Sequence, residues 1–217
     1  RNKPQIALAL LQFIDDPLIQ LDASLNCLPK MLPARRKEAA AFIDLIRDKG
    51  CRAVLLAHLS SLICHANKAD AVQIARQALF LAGEMEDNAA AFEVFSKLAP
   101  SLFPVQRALF EKAVRNASLR AKNQPMPSLR AKALGRLASR IRMVPERALQ
   151  VLQEAIGEAE REEDIQFREW TFKKLTKALF ALDEDRALRM VEEKLTTPLA
   201  KAAALASIAA FDAVNKT

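Results

Sequence analysis

The chain has 217 residues, 51% of them apolar, and carries a formal net charge of +7 at neutral pH. Four glycines, no tyrosine and abundant Ala, Leu, Arg, Lys and Glu argue against a strand-and-hairpin protein, because tight hairpins need glycine and strands favour aromatic and β-branched residues. Strong helix formers dominate instead, and the expected class is all-α.

No run of eighteen apolar residues supports a membrane span. Cys27, Cys51 and Cys64 are an odd number in a chain with ample core, which argues against a disulfide framework and for a reducing, cytoplasmic compartment. The first residue is Arg1 with no secretion signal behind it, so the chain reads as a fragment or as part of a larger chain.

Apolar residues at helical spacing, punctuated by Pro, Asp, Asn and Ser, predict helices throughout. Residues 1–50 are the least regular and read as an N-terminal cap: helices near Pro4 to Ile14, Pro17 to Cys27 and Pro33 to Lys49. From Cys51 the spacing predicts pairs: Cys51 to Ala66 with Ala69 to Ala82, then Asp87 to Ala99 with Pro104 to Ala117. Next come Ser128 to Met143 with Pro145 to Arg161, then Glu163 to Leu182 with Asp185 to Leu195. A last helix follows "TTP" at Thr196 to Pro198 without an obvious partner. Leu134, Leu137, Ala138 and Ile141 form the clearest apolar stripe, and Pro145 suits a first helical turn.

The tripeptide Arg-Ala-Leu begins at Arg107, Arg147 and Arg186, at steps of 40 and 39, near the start of the second helix of successive pairs. Two helices per period of about 37–40 residues is the pattern of an α-α superhelix, here about five antiparallel pairs. Residues 51–217 are read as one continuous domain of such repeats. The stretch Ala78 to Pro100 resembles a tetratricopeptide unit in its helix–turn–helix pattern and closing Pro100. The longer period and the missing Trp and Tyr positions bring the chain closer to the HEAT-like helical repeats. That resemblance covers most of the chain from Cys51 on and implies partner binding, with no catalytic residues to carry over.

Cys51, His58, Cys64 and His65 are metal-ligand types, but on one helix Cys51 and His65 stand about 21 Å apart, too far for one zinc. The four glycines are isolated, so no phosphate loop exists, and no nucleophile has a visible base. The acidic run Glu160 to Ile165 reads as a solvated turn ahead of the next helix. No enzyme, cofactor or metal site is nominated.

Charge is the informative signal. Residues 107–147 hold eleven basic and two acidic side chains, while residues 148–195 hold eight basic and twelve acidic. Lys132, Arg136 and Arg140 stand one turn apart, opposite the Leu134–Leu137–Ile141 side. With Arg120, Lys122 and Arg130 around "NQPMPS" they predict a patch for an acidic protein partner, or for the backbone of duplex nucleic acid. Single strands are disfavoured, since Phe110 is the segment's one aromatic. Trp170, the sole tryptophan, lies with Phe167 opposite the main stripe of its helix. It is expected either between repeats or as a partner-binding anchor.

Overall fold

The computed structural model describes Phe13, Ile14, residues 16–31 and residues 36–215. Among these residues there are eleven α-helices and no strand: α1 Pro17–Met31, α2 Arg36–Asp44, α3 Lys49–Ile63, α4 Lys68–Gly83, α5 Asn88–Leu102 and α6 Arg107–Lys122, followed by α7 Pro127–Arg140, α8 Pro145–Glu160, α9 Ile165–Phe180, α10 Glu184–Lys194 and α11 Pro198–Asn215. The expected helix from Pro4 to Ile14 lies outside the described residues but for its last two. No described helix is long and apolar enough to cross a membrane.

Local signals set most boundaries. Asp48, Asn67, Asp87, Asp164 and Asp183 each cap the following helix by accepting hydrogen bonds from its first backbone N–H groups. Pro127 and Pro145 stand in first turns, where their missing N–H costs nothing. Several expected boundaries move, and three of these shifts bear on the packing or the site. The helix expected to run to Lys49 stops at Asp44, because Asp48 is the cap of α3 and its carboxylate accepts from Cys51 N at 2.6 Å. Helix α5 runs through Pro100 to Leu102, whose full burial keeps the last turn on the core. Helix α6 continues to Lys122, so Arg120 and Lys122 belong to its last turn rather than to a loop.

The helices follow one another in pairs along the chain, and the packing within each compact unit is of the α-solenoid kind. First helices start at residues 49, 88, 127 and 165, and second helices at 68, 107, 145 and 184, so the repeat is 38–39 residues. The chain gathers into two compact units, one ending at Ala117 and one beginning at Ser118. In the first unit α3 packs against its partner α4 and against α5. In the second, α7 packs against α8 and α9, and α9 against α8, α10 and α11. The first helices α3, α7 and α9 therefore need burial on two sides, and a quartet that recurs in all four first helices supplies it. The residues are Leu56, Leu59, Ser60 and Ile63 in α3, then Phe95, Leu98, Ala99 and Leu102 in α5. Their counterparts are Leu134, Leu137, Ala138 and Ile141 around α7, then Phe172, Leu175, Thr176 and Leu179 in α9; all sixteen are at most 4% exposed. The 3-1-3 spacing is one helical stripe. Each large member contributes about 1.5–3 kcal/mol of burial. The Ser60 and Thr176 hydroxyls donate to carbonyls within their own helices, so no polar group is stranded.

The Arg-Ala-Leu echo holds at two of its three sites. Arg147 and Arg186 are third residues of α8 and α10, and Ala148 and Ala187 behind them are fully buried. Arg107 is the first residue of α6, which leaves Ala108 exposed and puts Phe110 at the equivalent buried position. The period is real, but the first tripeptide stands two residues out of register.

Two glycines test this packing in opposite directions. A Cβ on Gly135 of α7 would stand 2.5 Å from Leu175 Cδ2 on α9, whereas one on Gly157 of α8 meets nothing within 4 Å. Leu175 is 1% exposed, and its side chain would have to shift to admit the methyl group. Gly135→Ala should lower stability by about 1–2 kcal/mol, the overpacking cost outweighing the propensity gain. Gly157→Ala should raise it by about 0.5–1 kcal/mol. Thermal denaturation followed by circular dichroism compares the two signs.

Candidate functional site: a cationic groove around Trp170

Asp164 Oδ1 accepts from Gln166 N at 2.8 Å and Phe167 N at 3.0 Å, which fixes the phase of α9. With that phase Phe172, Leu175 and Leu179 turn to the core and Trp170 turns outward, 41% exposed rather than buried between repeats. Helix α7 has no cap of its own, since Met126 precedes it. Glu162, 7% exposed in the turn ahead of α9, supplies one by accepting from Ser128 N at 3.1 Å. The acidic run read as a solvated turn is thus partly structural: Glu162 caps α7 from a neighbouring pair while Asp164 caps α9.

A second carboxylate does the same for α11. Glu169 accepts from Thr196 N at 2.7 Å, from Thr197 N at 3.0 Å and from both threonine hydroxyls. Hydrogen bonds from Thr196 foremost, then from Thr197, hold its carboxyl down at about 2. Helix α11 carries Phe211, whose ring meets Phe180 edge-on with centroids 6.5 Å apart.

Between α7, α9 and Phe211 lies a groove of about 440 Å³. Lys132, Gly135, Arg136, Ser139 and Arg142 line it from α7 and the turn beyond; Trp170, Lys174, Leu175, Lys177, Ala178 and Ala181 line it from α9 and its end. Lys132 Nζ stands 5.3 Å and Lys174 Nζ 5.7 Å from the Trp170 ring centroid, and Lys177 Nζ stands 5.3 Å from that of Phe211. Five basic side chains line the groove and, among the described residues, no carboxylate does. Among the described residues, Lys132, Arg142, Lys174 and Lys177 form no ion pair.

The seven residues singled out in the sequence divide. Lys132, Arg136 and Trp170 come together in the groove. Lys122 is paired with Glu154 of α8 at 2.6 Å. Arg130 donates through Nε to Glu158 at 2.6 Å, and through Nη1 to the Gln124 and Pro125 carbonyls. Arg120 and Arg140 are half-buried and do not line the groove. Arg142, Lys174, Lys177 and Phe211 were not foreseen. The repeat itself points to two of them: Lys132 and Trp170, Arg136 and Lys174, and Ser139 and Lys177 are each 38 residues apart, so the α7 stripe has an α9 counterpart at its side.

Other features offer less chemistry. A hollow of about 290 Å³ between α8 and α10 includes Lys194, paired with Glu160 at 2.8 Å, and Arg186, paired with Asp183 at 3.5 Å. Burial, then the nearby Asp48, pushes the Cys51 thiol up to about 12, and its Sγ donates to Pro17 O at 3.2 Å. Burial lowers the pKa of His58, while His65 is exposed. Among the described residues no three His, Cys, Asp or Glu side chains gather as metal ligands. No protein-family model matches the chain, and no curated protein is significantly similar to it.

Two predictions separate scaffold from surface. Arg130→Ala removes a partner from Glu158, which is 7% exposed and keeps Arg161, and should cost about 1–3 kcal/mol in denaturant unfolding. Lys132→Ala, on the open groove, should stay within about 0.5 kcal/mol. The Glu169 clamp is pH-dependent with a definite sign. A carboxyl held below its usual value of 4.5 contributes stability above that pH and loses it as pH falls towards about 2. The stability gap between the native chain and Glu169→Gln should therefore narrow between about pH 4.5 and pH 2, as read by thermal melts.

Proposed function

We propose that the chain is a non-enzymatic helical-repeat scaffold whose groove between α7 and α9 holds an acidic segment of a partner protein. The observation that carries this reading is the groove's composition. Two lysine ammoniums stand over a half-exposed tryptophan, further basic side chains surround it, and among the described residues no carboxylate lines it. Exposed aromatics concentrate binding energy at interfaces, and a cationic rim selects and steers an anionic partner. The 38–39-residue repeat and paired packing support a HEAT-like relation, nearer to the roughly 40-residue units of that class than to the 34 of tetratricopeptides. Three free thiols, Cys27, Cys51 and Cys64, support a reducing compartment such as the cytoplasm.

Nucleic acid is the second reading, favoured by the same cations and by the aromatics that the fold brings beside them. Single strands bind by laying bases on aromatic faces. Here Lys132 and Lys174 already stand over the Trp170 ring, which favours a ligand that engages the ammoniums over one that stacks on the indole.

Trp170 is the sole tryptophan and tyrosine is absent, so intrinsic emission reports this groove alone. Titration with poly-glutamate at low salt should change that emission saturably, with Kd on the order of micromolar and weakening as salt rises. The double variant Lys132→Glu/Lys174→Glu should weaken binding at least about tenfold with its melting temperature retained. A response to duplex or single-stranded oligonucleotide with none to poly-glutamate would overturn the acidic-protein reading.

A further inference from the structure

The walls of the groove do not begin at Lys132 and Trp170. The outward row of α7 has Leu129 three residues ahead of Lys132, and that of α9 has Phe167 three residues ahead of Trp170. The two helices run side by side from their starts. Ser128 N donates to Glu162 at 3.1 Å, Lys132 Nζ stands over the Trp170 ring, and Gly135 abuts Leu175. Leu129 and Phe167 are again 38 residues apart, and they are 39% and 51% exposed. Three residues of helix carry the groove about 4.5 Å past Trp170.

Scattered exposed leucines need no explanation on a protein surface. These two side chains differ, because they continue both walls of a groove and adjoin its indole. The cations next to them in the chain are engaged elsewhere. Arg130 donates to Glu158 and to the Gln124 and Pro125 carbonyls, and Arg168 Nη1 donates to the Glu162 carbonyl at 3.4 Å. An apolar step therefore precedes the cationic stretch that holds Arg136, Lys174 and Lys177. Ahead of the step lies the acidic turn Glu162 to Asp164, which repels further carboxylates. An occupant's acids belong with the lysines and not over Phe167.

We propose, building on the acidic-segment reading above, that the partner segment carries a bulky apolar side chain beside its acids. The apolar group seats on Leu129 and Phe167 next to Trp170, and the carboxylates engage Lys174 and Lys177. The groove thus reads an acidic–apolar pair with a set polarity, apolar at the helix starts and acidic towards their ends. Poly-glutamate fills only the cationic half of such a site.

The test uses the 217-residue chain and three short peptides without tryptophan or tyrosine. The first joins a pair of leucines to a run of glutamates. The second has serines for the leucines, and the third has glutamines for the glutamates. Binding is read at low salt by calorimetry and by Trp170 emission. The first peptide should bind at least about tenfold more tightly than either of the others, a gain within reach of burying one leucine. Leu129→Ser/Phe167→Ser should bring the first peptide down to the affinity of the second. Lys177→Glu should weaken the first and second peptides by the same factor, and both variants should keep the native melting temperature. Equal binding of the first two peptides, or an advantage that survives Leu129→Ser/Phe167→Ser, would overturn the apolar step and leave the acidic-segment reading standing. Binding of the third peptide as tight as the first, or no binding of any acidic peptide, poly-glutamate included, would overturn both.

Discussion

The first helices α3, α7 and α9 each have to bury two sides at once, against their own partners and against the next such helix (α5, α9 and α11), and much of the packing within each unit follows from that demand. The recurring quartet meets it: large side chains at three positions, with Ser60, Ala99, Ala138 or Thr176 at the fourth, where close approach leaves little room. Gly135 against Leu175 is the tightest case, because even one methyl group there meets the neighbouring helix. A helix committed in this way keeps only a narrow outward row, at steps of three and four residues. Where two such helices lie side by side, rows one period apart become the walls of a groove. Lys132–Arg136–Ser139 and Trp170–Lys174–Lys177 are those walls.

Charge in this chain serves two ends that a count along the sequence cannot separate. The surplus over residues 107–147 is real, but part of it is spent inside the fold. Glu154 and Glu158 on α8 take up Lys122 and Arg130, and so tie the start of the second unit together. Lys132, Arg142, Lys174 and Lys177 in the groove form no ion pair among the described residues, and two of them, Lys174 and Lys177, come from the net-acidic segment that follows. Local charge balance says how many cations a stretch contains. The packing phase of each helix decides which of them reach a ligand.

Much of the architecture was legible beforehand because its causes are local. Apolar spacing predicted the stripe Leu134, Leu137, Ala138 and Ile141, all fully buried, and proline and aspartate predicted most helix starts. The period near 38 residues was legible as well, although the tripeptide that suggested it was out of register at Arg107. Three kinds of feature were not legible. Glu162 and Glu169 cap helices other than their own, and a cap supplied from a distance leaves no mark beside the helix it completes. Arg130 looked like a ligand for a partner because its acceptor Glu158 is 28 residues away. Trp170 could be placed opposite the apolar stripe but not declared exposed, since that depends on where α7 and α11 lie. For Lys174 and Lys177 a signal did exist: adding one period to the α7 stripe arrives at both walls.

The central claim is that a half-exposed indole stands beside Lys132 and Lys174, which form no ion pair among the described residues, and charge-selective quenching of Trp170 emission tests it most directly. Anions concentrate near such a site and cations are repelled from it, in a way that salt suppresses. Iodide should quench the single tryptophan several-fold more efficiently than caesium at low ionic strength, with the ratio falling towards unity as inert salt is added. Equal quenching by the two ions would contradict the cationic groove, and negligible quenching by either would place Trp170 in the core.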